Sequence, residues 1–461
     1  MSSKRSWLTA VFAVCAVVLS AAGGVRYVSY GEARPTVDAL RDVLPADLQG
    51  KTGAPLEAAW STWVAAHDRD IRARLAAGDE DTIVNWLLLG TSFTQQPRAF
   101  IDVPASRPQE LSNVIGARAH DLVSALGAAG ADERRLFARA FFQKKGYRLE
   151  SAAERTRLEQ YLLTAVVRVN AEQARFADAL QTLRRLGDQS EAFAERSKLF
   201  RDRGLSLDTS IQPSFALEQS LRELQTRGLL APGSVHDVAV IGPGLDFSDK
   251  NSGFDFYPQQ TLQPFALIDS LLRLGLTEKL DAFTLTTIDL SPRVNDHLTR
   301  ARQNAAAGSP YTIRIPLDRS VSWTPEFLSF WNTLGTRVGA DSAAAVTGLP
   351  SGVQARLLKI APAVVSRLNV DDLNVVVQQF ANRKFDLVVA TNVFVYYDVF
   401  DQALALANVG SMLRPGGFLL SNNALIELPS SRMRSVGYLT TSYSNRPDDG
   451  DHVVWYRRTA N

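Results

Sequence analysis

Short apolar runs ending in turn residues alternate with helical stretches from Val235 to Arg458. No other feature restricts the fold of this chain so strongly. A strand covered on both faces reads as a continuous apolar run, and strands separated by helices pair in parallel with helices on both sides of the sheet. The first run is Val238-Ala239-Val240-Ile241, followed by Gly242-Pro243-Gly244-Leu245-Asp246. The second runs from Phe283 to Ile288, ends in Asp289, and passes through Leu290-Ser291-Pro292 into a helix at 293–307. The third runs from Phe385 to Ala390 and ends in Thr391-Asn392, before a helix at 399–413. Arg414-Pro415-Gly416-Gly417 then turns into Phe418-Leu419-Leu420-Ser421. Two alternating stretches, 435–444 and 452–458, read as a terminal antiparallel hairpin.

Residues 35–230 read as almost wholly helical, with loop breaks at Gly50–Pro55, Gln96–Pro108 and Gly127–Ala131. The expectation is an all-α domain that packs or shapes a site without chemistry of its own. His67 beside Asp68 is an acid–base pair on paper, but a helix with Trp60 and Trp63 on its apolar face accounts for the same residues. In front of this region, Trp7 to Val25 is a 19-residue stretch without charge, preceded by Lys4 and Arg5. It is long enough to cross a bilayer as one helix. The alternative is a cleaved signal peptide, with Ser20-Ala21-Ala22 near the cleavage point. Either reading places the chain at a membrane or beyond it; the basic residues before the span favour an inside N-terminus, a bias that Arg26 and Arg34 just after it weaken. The expected organisation is thus an anchor or signal at 1–34, a helical domain at 35–230, and an α/β domain at 235–461.

Composition excludes several classes. Lys and Arg total 50 against 48 Asp and Glu, a formal net charge of +2, so no global field attracts nucleic acid. The one cysteine, Cys15, rules out an intrachain disulfide and a cysteine-ligated zinc site. The five histidines are scattered, and no metal is expected.

Two motifs carry chemistry. A buried strand ending in Gly242-x-Gly244 lets a ligand approach backbone that a Cβ would block. An acid closing the second strand, Asp289, can accept both ribose hydroxyls of an adenosine group. The competing reading is that Asp289 or Ser291 caps the following helix.

On VAVIGPGLD (238–246), LTTIDLSP (285–292), FDLVVATN (385–392) and LRPGGFLLSNN (413–423), residues 235–458 resemble a Rossmann-like S-adenosylmethionine-dependent methyltransferase domain. NVFVYYD (392–398) is also similar to one motif of the chemotaxis-receptor glutamate methyltransferases. The resemblance implies a mostly parallel seven-stranded sheet whose terminal hairpin inserts one antiparallel strand. It implies S-adenosylmethionine as cofactor and an acceptor that the motifs do not name. Gly242, Pro243 and Gly244 match the turn beneath the methionine part of the cofactor, and Asp289, with Leu290 and Ser291, the ribose site. Asn369, Asp371 and Asp372 lie where the family places an adenine contact. Asn392 matches the strand end that meets the acceptor, and Tyr396 and Tyr397 are candidates to line its pocket.

The chain departs from the pattern in three places. Val240 stands where the family carries the acid that anchors the cofactor's amino group, and Asp246 takes the third glycine's place. Asp246 or Asp249 is the expected substitute. Gly242 and Asp289 are 47 positions apart (289 minus 242), against about 20 in a compact dinucleotide-binding unit. The excess includes the aromatic and polar loop 247–265, where Asp255, Tyr257, Gln259 and Gln260 are candidates for ligand contact, against a packed lid without chemistry. A second insertion, at about 316–362, is expected to form a helical cap over the acceptor side. A nicotinamide enzyme is disfavoured because Phe247 fills its third glycine position. The expected function is methyl transfer; the alternative is a membrane-tethered, non-catalytic scaffold on a degenerate methyltransferase fold.

Overall fold

The computed structural model describes residues 24–128, 130–185, 204–249, 253–344, 346, 348–446 and 449–460. The apolar stretch from Trp7 lies outside these residues up to position 23. Among the described residues no helix is long and apolar enough to cross a membrane.

The chain begins with strand β1 (Val25–Tyr27) and helices α1 (Tyr30–Ala39), α2 (Gly53–Leu89), α3 (Pro108–Gly127), α4 (Glu133–Lys144), α5 (Ala152–Arg185) and α6 (Gln212–Thr226). Then follow β2 (Asp237–Ile241), α7 (Gln263–Arg273), β3 (Thr284–Ile288) and α8 (Pro292–Ala306). Next come β4 (Tyr311–Asp318), α9 (Pro325–Thr333), β5 (Gly339–Asp341), β6 (Val353–Ile360) and the single turn α10 (Pro362–Val365). The rest is β7 (Leu368–Asp371), β8 (Gln378–Phe380), β9 (Phe385–Ala390), α11 (Val399–Met412), β10 (Leu413–Ser421), β11 (Met433–Ser442) and β12 (Gly450–Arg458).

Seven strands form the central sheet in the order β11-β12-β10-β9-β2-β3-β7. The pairs from β7 to β10 are all parallel, with Val238 opposite both Leu285 and Leu387. β12 alone runs the other way, inserted between β10 and β11. The resemblance drawn from the four motifs therefore holds at the level of the sheet. The order reverses between β2 and β9, the switch point at which open α/β sheets leave a crevice beyond their strand ends.

Strand residues alternate between two cores, as a pleat requires. Val238, Val240, Leu387 and Val389 pack with α6, α7 and α8 on one face. Ala239, Val388, Ala390 and Leu419 pack on the other with Val37 of α1, Trp60 and Trp63 of α2, and Phe400 and Leu404 of α11. Both faces are dry, which explains why the strands read as unbroken apolar runs.

The helical region shares part of its packing with the sheet. At 1.5 Å per residue the 37-residue α2 is roughly 55 Å long, longer than one sheet face needs. Its first half covers the sheet, while Ile83, Trp86 and Leu87 of its second half found a third core with α3, α4 and α5. Helix α6 lies wholly on the sheet. Before position 34, β1 pairs antiparallel with β8, and Ser29 and Glu32 form a reciprocal capping box at the start of α1. Residues 25–34 belong to the folded body.

The second insertion is a correction to the expected helical cap. β4, β5 and β6 form an antiparallel sheet in the order β4-β6-β5, with α9 the only long helical piece among its described residues. Ile313, Ile315 and Leu317 are buried at every second position, the period of a strand. The insertion seals Phe265 and Ala266 of α7, and its Thr324 N–H donates to the Tyr443 carbonyl at 2.8 Å. It thus covers a helix face beside the terminal hairpin.

Candidate active site

The carboxyl ends of β2, β3 and β9 open into a cleft of about 940 Å³, counting the space at its mouth. Ile241, Gly242 and Gly244 contribute from β2 and its turn, Ile288, Asp289 and Leu290 from β3, and Thr391 and Asn392 from the end of β9.

The two glycines are required by position. Both have positive φ, 66° and 74°. A Cβ on Gly242 would sit 2.7 Å from a methyl of Val393, and one on Gly244 would sit 2.7 Å from the Leu207 carbonyl oxygen. The turn is therefore pressed between two chain segments at the cleft floor.

Asp289 is buried, and burial pushes its carboxyl up to about 7 against the pull of backbone N–H donors of Ser291, Gly244 and Leu290. The Ser291 N–H donates to Oδ1 at 2.8 Å. Ser291 precedes α8 but makes no side-chain cap, so the helix start does not consume either residue's function as a simple cap would. A buried carboxylate with a strongly displaced pKa at a cleft is a candidate functional group.

Asn392 adopts a left-handed backbone, φ 57°, which asparagine tolerates better than most residues. Its N–H donates to Asn422 Oδ1 at 2.7 Å, and the Asn422 side-chain amide donates back to Asn392 Oδ1 at 2.6 Å. Beside it, the Gln263 amide donates to Thr391 Oγ1 at 2.7 Å. Tyr396 and Tyr397 line the same wall. Burial raises the Tyr397 phenol far above its ordinary value, so it stays protonated and serves as donor or packing surface.

Of the sequence candidates, the structure brings Gly242, Gly244, Asp289, Leu290, Asn392, Tyr396 and Tyr397 to one cleft. It places the others elsewhere. Pro243 and Ser291 are not on the wall. Asn369 lies in the ladder opposite Thr286. Asp371 is ion-paired with Arg383 at 2.5 Å, and Asp372 with Arg72 at 2.7 Å; Leu373 and Val375 face the cleft instead. Asp246 points behind the glycine turn, where it accepts from the Tyr257 hydroxyl at 3.2 Å and the Gln260 amide at 3.3 Å.

The loop after the turn proves to be a fastening. Asp255 accepts from Trp86 Nε1 at 2.6 Å, and from the hydroxyls and backbone N–H groups of Thr91 and Ser92. Gln259 accepts from Arg293 at 2.9 Å. None of Asp255, Tyr257, Gln259 and Gln260 lines the cleft. His67 and Asp68 are likewise parted. His67 lies 2.9 Å from Asp401 and stacks on Trp63, with ring centroids 4.8 Å apart. Burial works against its protonation, but Asp401, with Asp398 and Asp70 beyond it, outweighs this and raises its pKa. Asp68 accepts from Tyr27, Arg72 and Asn374.

One contribution escaped the sequence reading. Residues 205–210, between α5 and α6, line the cleft over the glycine turn, together with Leu75 and Pro213. The Leu245 N–H donates to the Leu207 carbonyl at 2.8 Å, which pins this strap to the turn. The signal was available in Ser206, Asp208, Thr209 and Ser210: a polar cluster between two apolar periodic stretches is a loop, and such loops carry function. Among the described residues, no group of three or more His, Cys, Asp or Glu is arranged to hold a metal ion.

No family model matches the chain, and no curated protein matches it. Solved structures do resemble it. The N-methyltransferase NodS from Bradyrhizobium japonicum, in complex with S-adenosyl-L-homocysteine, is 16% identical over 61% of this chain and 99% of its own, with a TM-score of 0.27. Magnesium protoporphyrin IX methyltransferase from Synechocystis, with bound S-adenosylmethionine, is 12% identical over 61% of this chain and 90% of its own, at 0.26. An S-adenosylmethionine-dependent methyltransferase from Clostridium acetobutylicum is 10% identical over 54% of this chain and 92% of its own, at 0.26. Likeness of this degree carries no residue's role across to this chain.

Proposed function

We propose that the chain is an S-adenosylmethionine-dependent methyltransferase acting on an acceptor that enters beside Asn392. One observation carries the reading: the left-handed turn at Gly242 and Gly244, the buried acid Asp289 and the strand end at Asn392 all line a single cleft at the switch point. Asp289 would accept the ribose hydroxyls. Leu290, Leu373 and Val375 offer an apolar bed for the adenine ring. The glycine turn admits the methionine part to within contact of the backbone.

The cofactor would supply an already activated methyl group on a sulfonium. The protein's task is then to align the acceptor for in-line displacement and to exclude water. Asn392, held by Asn422, presents an amide at the strand end, and Tyr396 and Tyr397 close the wall beside it. Tyr397 keeps its proton, so the site favours an acceptor that brings its own nucleophilic lone pair over one that needs a phenolate base.

The test is calorimetric titration of S-adenosylmethionine and S-adenosylhomocysteine into the full chain. Micromolar binding of both is expected. Absence of binding at millimolar ligand would overturn the reading and favour a scaffold on the same fold.

We also propose that the apolar stretch from Trp7 attaches the protein to a membrane, on the strength of its length and its flanking Lys4 and Arg5. Fractionation of the full chain against a chain starting at Gly24 tests this. Attachment predicts that only the full chain sediments with membranes.

A further inference from the structure

The cleft occupies one end of the sheet, and a cluster of cations occupies the other. Phe385 of β9 stands opposite Leu413 of β10, so both strands start at that end. β12 finishes there, with Arg457 opposite Phe418 and Arg458 opposite Met433. Lys384 immediately precedes β9 and is exposed. Its ammonium donates to the Ser411 carbonyl, and the Arg458 guanidinium donates to the Leu413 carbonyl. Backbone carbonyls, rather than carboxylates, hold both cations at the junction of α11 and β10.

The N-terminal segment enters the folded body at the same place. The Ala381 N–H, just before Lys384, donates to the Gly24 carbonyl at 2.8 Å, and Arg26 stands opposite Gln379 across β1 and β8. Burial, then the charges of Arg458 and Arg26, lower the Lys384 ammonium; burial and the charge of Arg432 lower Arg458. Like charges therefore crowd one another here. The carboxylates at this end are engaged: Glu32 with Arg26, Asp237 and Asp386 with Arg414, and Glu427 with Arg434 at 3.9 Å. A surface that gathers cations against their own repulsion fits an anionic partner that covers several at once. The apolar stretch from Trp7 is continuous with Gly24, so this is the surface that attachment would bring to a bilayer.

We propose that the rim formed by Arg26, Lys384, Arg432 and Arg458 docks on the anionic head groups of a lipid surface. The choice of lipid over other anions rests on the attachment proposed above. The six residues of β9 separate this rim from the cleft end of the sheet by roughly 20 Å. The cleft then opens away from the lipid, and the acceptor reaches it from the aqueous side.

The experiment places the full chain on vesicles of phosphatidylcholine alone and on vesicles of equal parts phosphatidylcholine and phosphatidylglycerol. A water-soluble acylating reagent modifies exposed lysines, read by mass spectrometry, with the exposed Lys144 of α4 as internal reference. Lys384 should react about fivefold more slowly on the anionic vesicles, the worth of one cation at such a surface, and high salt should restore its rate. Lys144 should react equally on both. Flotation of the same samples reads attachment separately. If the chain floats with both vesicles and Lys384 reacts equally on them, the docking surface is overturned while attachment stands. If the chain floats only with the anionic vesicles and Lys384 is protected, docking stands and attachment through the apolar stretch is overturned. If it floats with neither, both fail together.

Discussion

Asp246 and Asp289 stand at the ends of the first two strands of one sheet. Both are buried, and burial pushes both carboxyls up to about 7. Their surroundings differ. Asp246 is enclosed by Tyr257 and Gln260, side chains of the inserted loop. Asp289 is held by backbone N–H groups from below and faces the cleft. A displaced pKa therefore does not separate an acid enclosed by side chains from one that lines the cleft. What separates them is whether the protein's own side chains have already occupied the space in front of the carboxylate.

The largest effect is expected in the fastening behind Asp246. Asp255→Ala strands the buried Trp86 N–H and the N–H groups of Thr91 and Ser92. Each buried donor left without an acceptor costs about 1–3 kcal/mol, so a loss of about 3–5 kcal/mol is expected in denaturant unfolding. A change below about 1 kcal/mol would show that the loop is not a structural clamp. Asp289→Ala is next. Losing two charge-assisted bonds to the ribose should weaken S-adenosylmethionine about 100-fold or more in titration, with the thermal transition retained. Unchanged affinity would remove Asp289 from the ribose site.

pH sharpens the contrast. In the proposed site ribose hydroxyls would donate to the ionised carboxylate, and burial raises the Asp289 carboxyl to about 7. Affinity should then increase about tenfold from pH 6 to pH 8, and Asp289→Asn should abolish that slope. Asp246 does not line the cleft, so its titration is expected to appear in stability. Its folded pKa is raised above the ordinary 3.8, so the folded state holds the proton more tightly. The resulting stability is fully present below pH 3.8 and is lost as pH rises through about 7. Asp246→Asn should remove that contribution while changing cofactor affinity less than about threefold, the smallest effect of the series. A tenfold loss of affinity would mean that Asp246 reaches the ligand after all.

Much of the fold was legible in local pattern. Val238–Ile241 and Phe385–Ala390 read as doubly covered strands because both faces of the sheet are dry, and parallel pairing followed from the alternation with helices. The Ile313-Ile315-Leu317 alternation has the period of a strand and was equally legible, although the cap was expected to be helical. Gly242, Gly244, Asp289 and Asn392 were legible because each closes a strand, and strand ends at a switch point face the same crevice.

The sequence by itself determined where strands end, which residues close them, and that glycine backbone and one acid would face one crevice. Only the tertiary structure decided which other acids line that crevice. Asp208 lies 81 positions before Asp289 (289 minus 208) and reaches the same wall; Asp246 lies 43 before it (289 minus 246) and does not. Strand patterns are local, set by a period of two residues and the next turn. Which side chains crowd a carboxylate depends on where α2 and the strap pack, and that is decided by burial against the far face of the sheet.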